Sequence, residues 1–194
     1  TIGLSATGAT TLANAQHGVQ IFSTGNTIGG TTASARNVIS GNGLLGVIIQ
    51  NATGRANTVV GNYIGTDMSG TQARPNGAGV MLDSNASDNV LIGNVISGNR
   101  GNGVTISNSS NRVILQGNYI GTDATGIRAL GNSGWGLVFQ NDSTNSALIG
   151  GLQSNEANVI AANGAGGIDI QSGQHHNHVV RGNLIGVGVD GTTQ

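Results

Sequence analysis

Asn94-Val95-Ile96 is one copy of an Asn-x-Ile tripeptide that recurs along this chain of 194 residues. Self-similarity at a long period is typical of repeat architectures, in which each unit stacks on the next. Because the isoleucine is the same in every copy, we expect it to lie in one buried column over its counterparts. The six copies are Asn37-Val38-Ile39, Asn62-Tyr63-Ile64, Asn94-Val95-Ile96, Asn118-Tyr119-Ile120, Asn158-Val159-Ile160 and Asn183-Leu184-Ile185.

The asparagines of the tripeptides are predicted to form a second column, a ladder whose side-chain amides bond to one another along the stacking axis. Asparagine also tolerates a left-handed backbone, which we expect at the bend before each tripeptide. The sequence therefore predicts two structural columns. They contain Asn37, Asn62, Asn94, Asn118, Asn158 and Asn183 in one, and Ile39, Ile64, Ile96, Ile120, Ile160 and Ile185 in the other.

Two further strands precede each tripeptide. The first has the pattern Gly-apolar-x-apolar, as in Gly46-Val47-Ile48-Ile49, and the second ends in glycine, as in Val90-Leu91-Ile92-Gly93. Strand side chains alternate between faces, so the second and fourth members of the first pattern face the core. Three strands per rung and six rungs predict an all-β fold, a parallel β-helix (solenoid), and the crossover rule makes it right-handed.

The corner after the isoleucine alternates in length, which groups the six rungs into three double-rung repeats. Seven residues separate Ile39 from Gly46, whereas fifteen separate Ile64 from Gly79. The long corners share a glycine six residues after the isoleucine, where we expect a turn with positive φ. These glycines are Gly8, Gly70, Gly126 and Gly191.

Residues 1–194 are predicted to form a single β-helix domain that is uncapped at both ends. No amphipathic helix precedes the first rung or follows the last, and a solenoid without caps exposes unpaired strand edges. We therefore expect either a fragment of a longer protein or a subunit that stacks head to tail.

Composition excludes several classes of protein. The 35 glycines disfavour a helix-rich fold, because glycine in a helix interior costs backbone entropy. The seven basic residues and a net charge of -1 disfavour a nucleic-acid partner, which normally requires a basic patch. No apolar run is long enough to span a bilayer. The absence of cysteine is compatible with an extracellular or cell-surface location.

The stretches Asn94-Val-Ile-Ser-Gly-Asn99, Asn62-Tyr-Ile-Gly-Thr-Asp67 and Asn118-Tyr-Ile-Gly-Thr-Asp123 resemble the repeats of bacterial right-handed β-helix proteins in the pectate-lyase-like superfamily. The resemblance is greatest to the large, Gly/Asn-rich secreted and surface proteins of that group, and it covers almost the whole chain. It implies the fold. The superfamily includes polysaccharide lyases, hydrolases, epimerases, phage tailspikes and non-enzymatic surface rods, so fold alone does not select a function.

Catalytic candidates are few. Asp67 and Asp123 occupy the same place in successive long corners, two rungs and about 10 Å apart, at or beyond the upper limit for an inverting pair of carboxylates. We expect each to cap its own Asp-x-x-Gly turn instead. Arg181 is a candidate for a lyase-like base, but an isolated arginine on an outer face is expected to be solvated.

No metal site or cofactor is predicted. Histidines at the density of the run from His175 to His178 are able to converge on a metal, yet such a run is more often an exposed turn. The repeat of Gly-Gly-x-Gly-x-Asp that binds calcium in other β-helices is absent, and no loop concentrates three carboxylates.

Apolar residues in outward columns are candidates for a partner surface. Ile48, Met81 and Val138 alternate to the exterior of the first strands, and Tyr63 and Tyr119 do so on the third strands. Exposed contiguous apolar surface usually marks a contact site. Alternatively, long corners fold back and cover it. The tyrosines are also able to stack on sugars, but aromatic residues are only 3% of the chain, too few for a continuous glycan platform.

The sequence favours a non-catalytic, extracellular structural β-helix module: a segment of a surface rod or a subunit of a head-to-tail filament. Its expected partner is a second copy, stacked end to end or associated laterally. The alternative is a polysaccharide lyase, hydrolase or epimerase-like enzyme, or a glycan-binding module, with a polysaccharide as the partner. A phage-type spike is a third hypothesis, and it predicts a trimer.

Overall fold

The computed structural model describes residues 1–141, 144–171, 173 and 176–192. Short strands dominate this part of the chain, and two 3-10 helices, Ala33–Ala35 and Ser154–Glu156, interrupt it. In chain order the strands are β1 (Val19–Ile21), β2 (Thr27–Gly29), β3 (Val38–Ile39), β4 (Leu45–Gln50), β5 (Thr58–Val60), β6 (Tyr63–Ile64), β7 (Ala78–Asp83), β8 (Val90–Ile92), β9 (Val95–Ile96), β10 (Val104–Ser107), β11 (Ile114–Gln116), β12 (Tyr119–Ile120), β13 (Trp135–Gln140), β14 (Leu148–Gly150), β15 (Val159–Ile160), β16 (Gly166–Ile170), β17 (Val179–Arg181) and β18 (Leu184–Ile185).

Every third strand belongs to the same sheet, so the chain winds through three parallel sheets of six strands each. The first sheet has the order β1-β4-β7-β10-β13-β16, the second β2-β5-β8-β11-β14-β17, and the third β3-β6-β9-β12-β15-β18. One strand from each sheet makes one rung. The predicted parallel β-helix with three strands per rung and six rungs is therefore confirmed.

The isoleucines of the third sheet form the predicted column. The register pairs Ile39 with Ile64, Ile64 with Ile96, and so on through Ile120, Ile160 and Ile185. All are completely buried except Ile185, which is 48% exposed in the last described rung. Full burial of an isoleucine contributes about 1.5–3 kcal/mol before entropy is subtracted.

The glycine that opens each first strand is required by this column. A Cβ on Gly46 would stand 2.6 Å from Cγ2 of Ile64, and a Cβ on Gly136 would stand 2.6 Å from Cγ2 of Ile160. Neither glycine has a positive φ, so space and not backbone conformation excludes a side chain here. Glycine and isoleucine thus form one packing unit repeated in every rung.

The predicted asparagine ladder runs through all six rungs. Each member donates both its backbone N–H and its Nδ2–H to Oδ1 of the next, as Asn62 does to Asn94 at 3.0 and 3.1 Å. The expected left-handed backbone at these asparagines is wrong. In four of the six rungs the residue before the asparagine is a glycine that takes this conformation instead, as at Gly61 (φ 66°) and Gly93 (φ 61°), because glycine adopts positive φ without steric cost. In the other two rungs the preceding residue, Arg36 or Ala157, is extended.

A second complete ladder, which the sequence analysis missed, lies at the corner before the first sheet. Its Nδ2–H donations to the next Oδ1 measure between 2.8 and 3.0 Å, and its inner members are buried. The signal was an asparagine three or four residues before each strand glycine. The members are Asn14, Asn42, Asn76, Asn99, Asn132 and Asn163.

The long corners fold as small hairpins. Antiparallel bridges join Leu4 to Thr11, Thr66 to Ala73, and Thr122 to Ala129. The predicted positive φ at the four turn glycines is confirmed, with values of 71–74°. The short corners support the long ones. The Ser40 hydroxyl, for example, donates to the carbonyl of Thr66 at 2.7 Å and accepts the N–H of Gly65 at 3.1 Å.

Candidate functional site

Asp67 caps the hairpin of its own long corner. Its Oδ1 accepts the backbone N–H groups of Thr71 (3.0 Å) and Gln72 (3.2 Å), and the Ser69 hydroxyl donates to the carboxylate at 2.8 Å. Burial raises the pKa of this carboxyl, but the Ser69 hydroxyl and the backbone donors outweigh it and hold the pKa below its usual value. Such a carboxyl stays ionised at neutral pH and is a poor general acid.

Asp123 has the same role in the next long corner. Its Oδ1 accepts the N–H and hydroxyl of Thr125 (3.1 and 2.5 Å) and the N–H of Arg128 (3.3 Å). Burial again raises the pKa and the hydrogen bonds lower it, with a net lowering. Its other oxygen, Oδ2, is buried and meets no donor among the described residues. A general acid of a glycosidase needs a raised pKa, so neither carboxyl fits that role.

Arg181 lies in a different part of the molecule from the two aspartates. It is the last residue of β17 in the second sheet, it is exposed, and the register sets it beside Gly150. In the described part of the chain it forms no ion pair. The three catalytic candidates are therefore not brought together into one site.

The two tyrosines of the third sheet are covered on one side. The Arg36 guanidinium carbon lies 4.0 Å from the ring centroid of Tyr63, and its Nε donates to the Gly61 carbonyl at 3.1 Å. The long-corner hairpins also fold back over these rings: a Cβ on Gly70 would stand 2.8 Å from the Tyr63 ring. The long corners therefore fold back over the tyrosines of the third strands, as the alternative in the sequence analysis expects.

The long-corner hairpins also contact one another along the axis. The N–H of Ala124 donates to the carbonyl of Gly70 at 2.9 Å, and the N–H of Val189 donates to the carbonyl of Gly126 at 2.9 Å. The hairpins thus form a continuous outer layer over the third sheet. This layer is what half-buries Tyr63 and Tyr119.

The outward column of the first sheet is less open than predicted. The register does align Ile48 with Met81, but Ile48 and Val138 are buried and Met81 is half-buried. The prediction of an exposed apolar column is therefore wrong for Ile48 and Val138. A role in binding a partner stays a prediction for Met81 and for the uncovered sides of the tyrosines.

The residue before each strand glycine lies at the edge of this outer face. Asn102 reaches along the outer face and donates from Nδ2 to the Thr105 hydroxyl at 3.3 Å. Leu45 and Trp135 hold the same position in the rungs of Ile48 and Val138, and the Trp135 ring lies over Gly166 of the next rung. A small apolar cavity of about 280 Å³ opens where this position becomes alanine. It is lined by His17, Leu44, Leu45, Gly77 and Ala78.

An apolar face that the sequence analysis missed lies on the outside of the second sheet. Val90, Ile114 and Leu148 are half-buried there, and Ile92 and Val179 are 37% and 43% exposed. The available signal was the lack of polar alternation in the second strands. By register Val90, Ile114, Leu148 and Val179 form one column with one residue per rung, and Ile92 lies beside it in the rung of Val90.

A charged cluster also joins three successive rungs. Asp88 accepts two bonds from Arg112 (2.6 and 2.8 Å) and one from Arg55 (2.8 Å). The Arg112 guanidinium, with a smaller contribution from Arg55, lowers the pKa of Asp88 to about 2. All three side chains are partly exposed. The cluster links the corners of the three rungs and has a net charge of about +1 at the surface.

The described residues contain no group of three or more His, Cys, Asp or Glu side chains that is placed to hold a metal ion. His175, part of the predicted histidine run, lies outside the described residues. His178 packs its ring on Phe139 with the centroids 4.4 Å apart, and its Nδ1 accepts the N–H of Ala147 at 3.2 Å. Across the part of the chain that is described, no helix has the length and apolar character to cross a bilayer.

Known proteins share this architecture. A family model described as "Right handed beta helix region" matches residues 3–157. Two crystal structures of the periplasmic alginate epimerase AlgG, one of them a double mutant, are similar, at 19% and 18% sequence identity and a TM-score of 0.59 each. The likeness covers 88% of this chain but only 37% of theirs, and at this identity it concerns the fold. No curated protein matches the sequence.

Proposed function

The chain belongs to the right-handed beta helix family, and from this premise we propose that it is a non-catalytic structural module, a segment of an extracellular or cell-surface rod. The environment of the carboxylates carries this proposal. Asp67 and Asp123 each satisfy the turn of their own hairpin, with a lowered pKa, and Arg181 lies on another sheet. Side chains committed in this way supply neither an acid and base pair nor a convergent site.

The direction of the asparagine ladders supports continuation of the rod from end to end. In both ladders each rung donates to the rung that follows it in sequence, so a following rung would accept from Asn183. Ile170, Val180 and Ile185 are 42–48% exposed in the last described rung, although their counterparts in inner rungs are fully buried. Further rungs, from the same polypeptide or a second copy, would bury these side chains and extend the hydrogen bonding.

Electron microscopy and solution mass test this proposal. We expect the purified chain, or the protein that contains it, to form elongated particles whose mass or length grows with concentration if copies stack. Compact particles at every concentration would contradict stacking of copies. A solution mass of three chains at every concentration would support the spike hypothesis instead.

A second candidate function is recognition or modification of an acidic polysaccharide. The observation that favours it is the likeness to a periplasmic alginate epimerase, which also supports a location outside the cytoplasm. The test is a screen for binding, and for release of unsaturated sugars or change in sugar stereochemistry, on acidic polysaccharides. Activity that is lost in Asp67→Ala and Asp123→Ala, with both variants folded, would favour an enzyme over the rod.

A further inference from the structure

The second asparagine ladder contains the chemically weakest dipeptide of the chain. Four asparagines are followed directly by glycine, and three of them, Asn42, Asn76 and Asn163, are members of this ladder. Asn-Gly pairs are the most prone to spontaneous deamidation, because glycine leaves the following backbone nitrogen uncrowded and flexible. Half of a six-membered ladder that depends on intact amides thus belongs to labile pairs.

The reaction needs only water and base. The glycine nitrogen loses its proton and attacks Cγ of the asparagine, a new N–C bond closes a five-membered imide, and Nδ2 leaves as ammonia. Water then opens one of the two imide bonds. The products are aspartate and isoaspartate, the latter with one additional carbon in the backbone.

The geometry prevents replacement of the glycine. A Cβ on Gly43 would stand 2.3 Å from the carbonyl oxygen of Ala15, and a Cβ on Gly164 would stand 2.5 Å from that of Ser133. At Gly77 the nearest carbonyl oxygen, that of Leu44, would be 2.5 Å away. No side chain fits at these distances. In these three rungs the ladder fixes the asparagine and the corner fixes the glycine, so the local fold imposes the labile pair there.

The same contacts shield the pair while the chain is folded. Asn76 is fully buried; its Oδ1 accepts from Asn42, and its Nδ2 donates to the Ile39 carbonyl (2.9 Å) and to Oδ1 of Asn99 (3.0 Å). An amide held by these bonds cannot rotate toward the backbone nitrogen, and water does not reach it.

The attacking nitrogens are also restrained, but unequally. The N–H of Gly43 donates to the Asn14 carbonyl at 2.9 Å, and that of Gly164 donates to the Asn132 carbonyl at 2.8 Å. The N–H of Gly77 has no acceptor among the described residues. In the Asn76-Gly77 pair, therefore, only the asparagine side chain is held by hydrogen bonds, and the attacking nitrogen is not.

We propose that Asn42, Asn76 and Asn163 are modification sites that open only on unfolding, and that their deamidation makes unfolding irreversible. An aspartate at position 76 loses both Nδ2–H donors and sets a carboxylate against the Ile39 carbonyl and Oδ1 of Asn99. A buried charge without a partner opposes refolding. Isoaspartate lengthens the backbone within a rung and shifts the register of the strand that follows.

The experiment compares the chain incubated in mildly alkaline buffer when folded and when unfolded in guanidinium chloride. Peptide mass spectrometry locates each conversion of amide to acid. If modification requires global unfolding, the folded chain reacts slower by the unfolding equilibrium constant, about 10³-fold or more. We expect all three sites to be slowed by this same factor in the folded sample, and the refolded fraction to fall in step with modification.

Two variants separate the chemistry from general damage. Asn76→Asp reproduces one product, and we expect it to abolish refolding or to lower stability strongly. Asn85→Asp is the matched control, because Asn85 is exposed on a corner and its side chain bonds to no described residue. Equal rates of reaction in folded and unfolded samples, or full refolding of chains deamidated at the three sites, would overturn the proposal.

Discussion

Truncation of one isoleucine of the buried column, Ile64→Ala, tests the packing of the whole rod. Ile64 is fully buried between Ile39 and Ile96. Loss of three buried carbon atoms forfeits roughly 2–3 kcal/mol of transfer free energy. The rungs above and below are fixed by hydrogen bonds and cannot collapse into the cavity. We therefore expect a total loss of about 3–5 kcal/mol, in the upper part of the range for such changes.

Ile92→Ala is the matched control for this experiment. Ile92 lies one rung away on the outer face of the second sheet and is 37% exposed. Its truncation leaves no cavity, and we expect a loss below about 1 kcal/mol. The measurement is guanidinium unfolding followed by circular dichroism, with the free energy of unfolding compared among the variants.

Gly46, which packs against Ile64, allows a stricter test of the same packing argument. Gly46→Ala alone should destabilise the chain, since its Cβ would stand 2.6 Å from Cγ2 of Ile64. In the double variant with Ile64→Ala that overlap disappears. The combined loss should be smaller than the sum of the single losses by about 0.5–3 kcal/mol. Additive losses, or a larger loss for Ile92→Ala than for Ile64→Ala, would refute the packing argument.

Three further predictions concern the ladder, the charged cluster and the turns. Asn94→Leu removes the acceptor of the Asn62 backbone N–H and of one of its Nδ2–H donations, and denaturant titration should show a loss of about 3 kcal/mol or more. Asp88 has a folded-state pKa of about 2, below its ordinary 3.8. Its ion pairs therefore stabilise the fold fully above about pH 4 and lose that effect as the pH falls toward 2. Asp88→Asn should flatten the dependence of stability on pH in this window. Gly70→Ala and Gly25→Ala both strain a positive φ (73° and 75°), by about 1–2 kcal/mol. Only Gly70 also meets neighbouring atoms, so its variant should have the lower melting temperature.

The core of the fold could be predicted from the sequence because the residues that form it recur periodically. Alternation within the first strands identified inward residues such as Val47 and Ile49, which are completely buried. The invariant isoleucine gave the stacking register without knowledge of the corners. One ladder followed from the same tripeptide, since its asparagine stands at a fixed distance from the isoleucine.

Features that depend on irregular corners were not readable. The second ladder was missed because the distance from Asn76 to its strand glycine differs by one residue from that in the other rungs. The cluster of Asp88 with Arg55 and Arg112 depends on which corner residues align across three rungs, and the corners differ in sequence and length. The burial of Val138 was not predicted, because strand alternation assigns a side chain to a face and does not give its exposure.

The uniform orientation of the ladders has an electrical consequence. Every amide in both ladders directs its oxygen toward β1 and its donating N–H toward β18, as the bonds from Asn62 to Asn94 and from Asn76 to Asn99 show. Dipoles aligned head to tail add instead of cancelling, as they do in an α-helix, and bonds in such chains polarise one another. We therefore expect the rod to carry a permanent moment along its axis, with its positive pole at the β18 end, and to orient in an applied field.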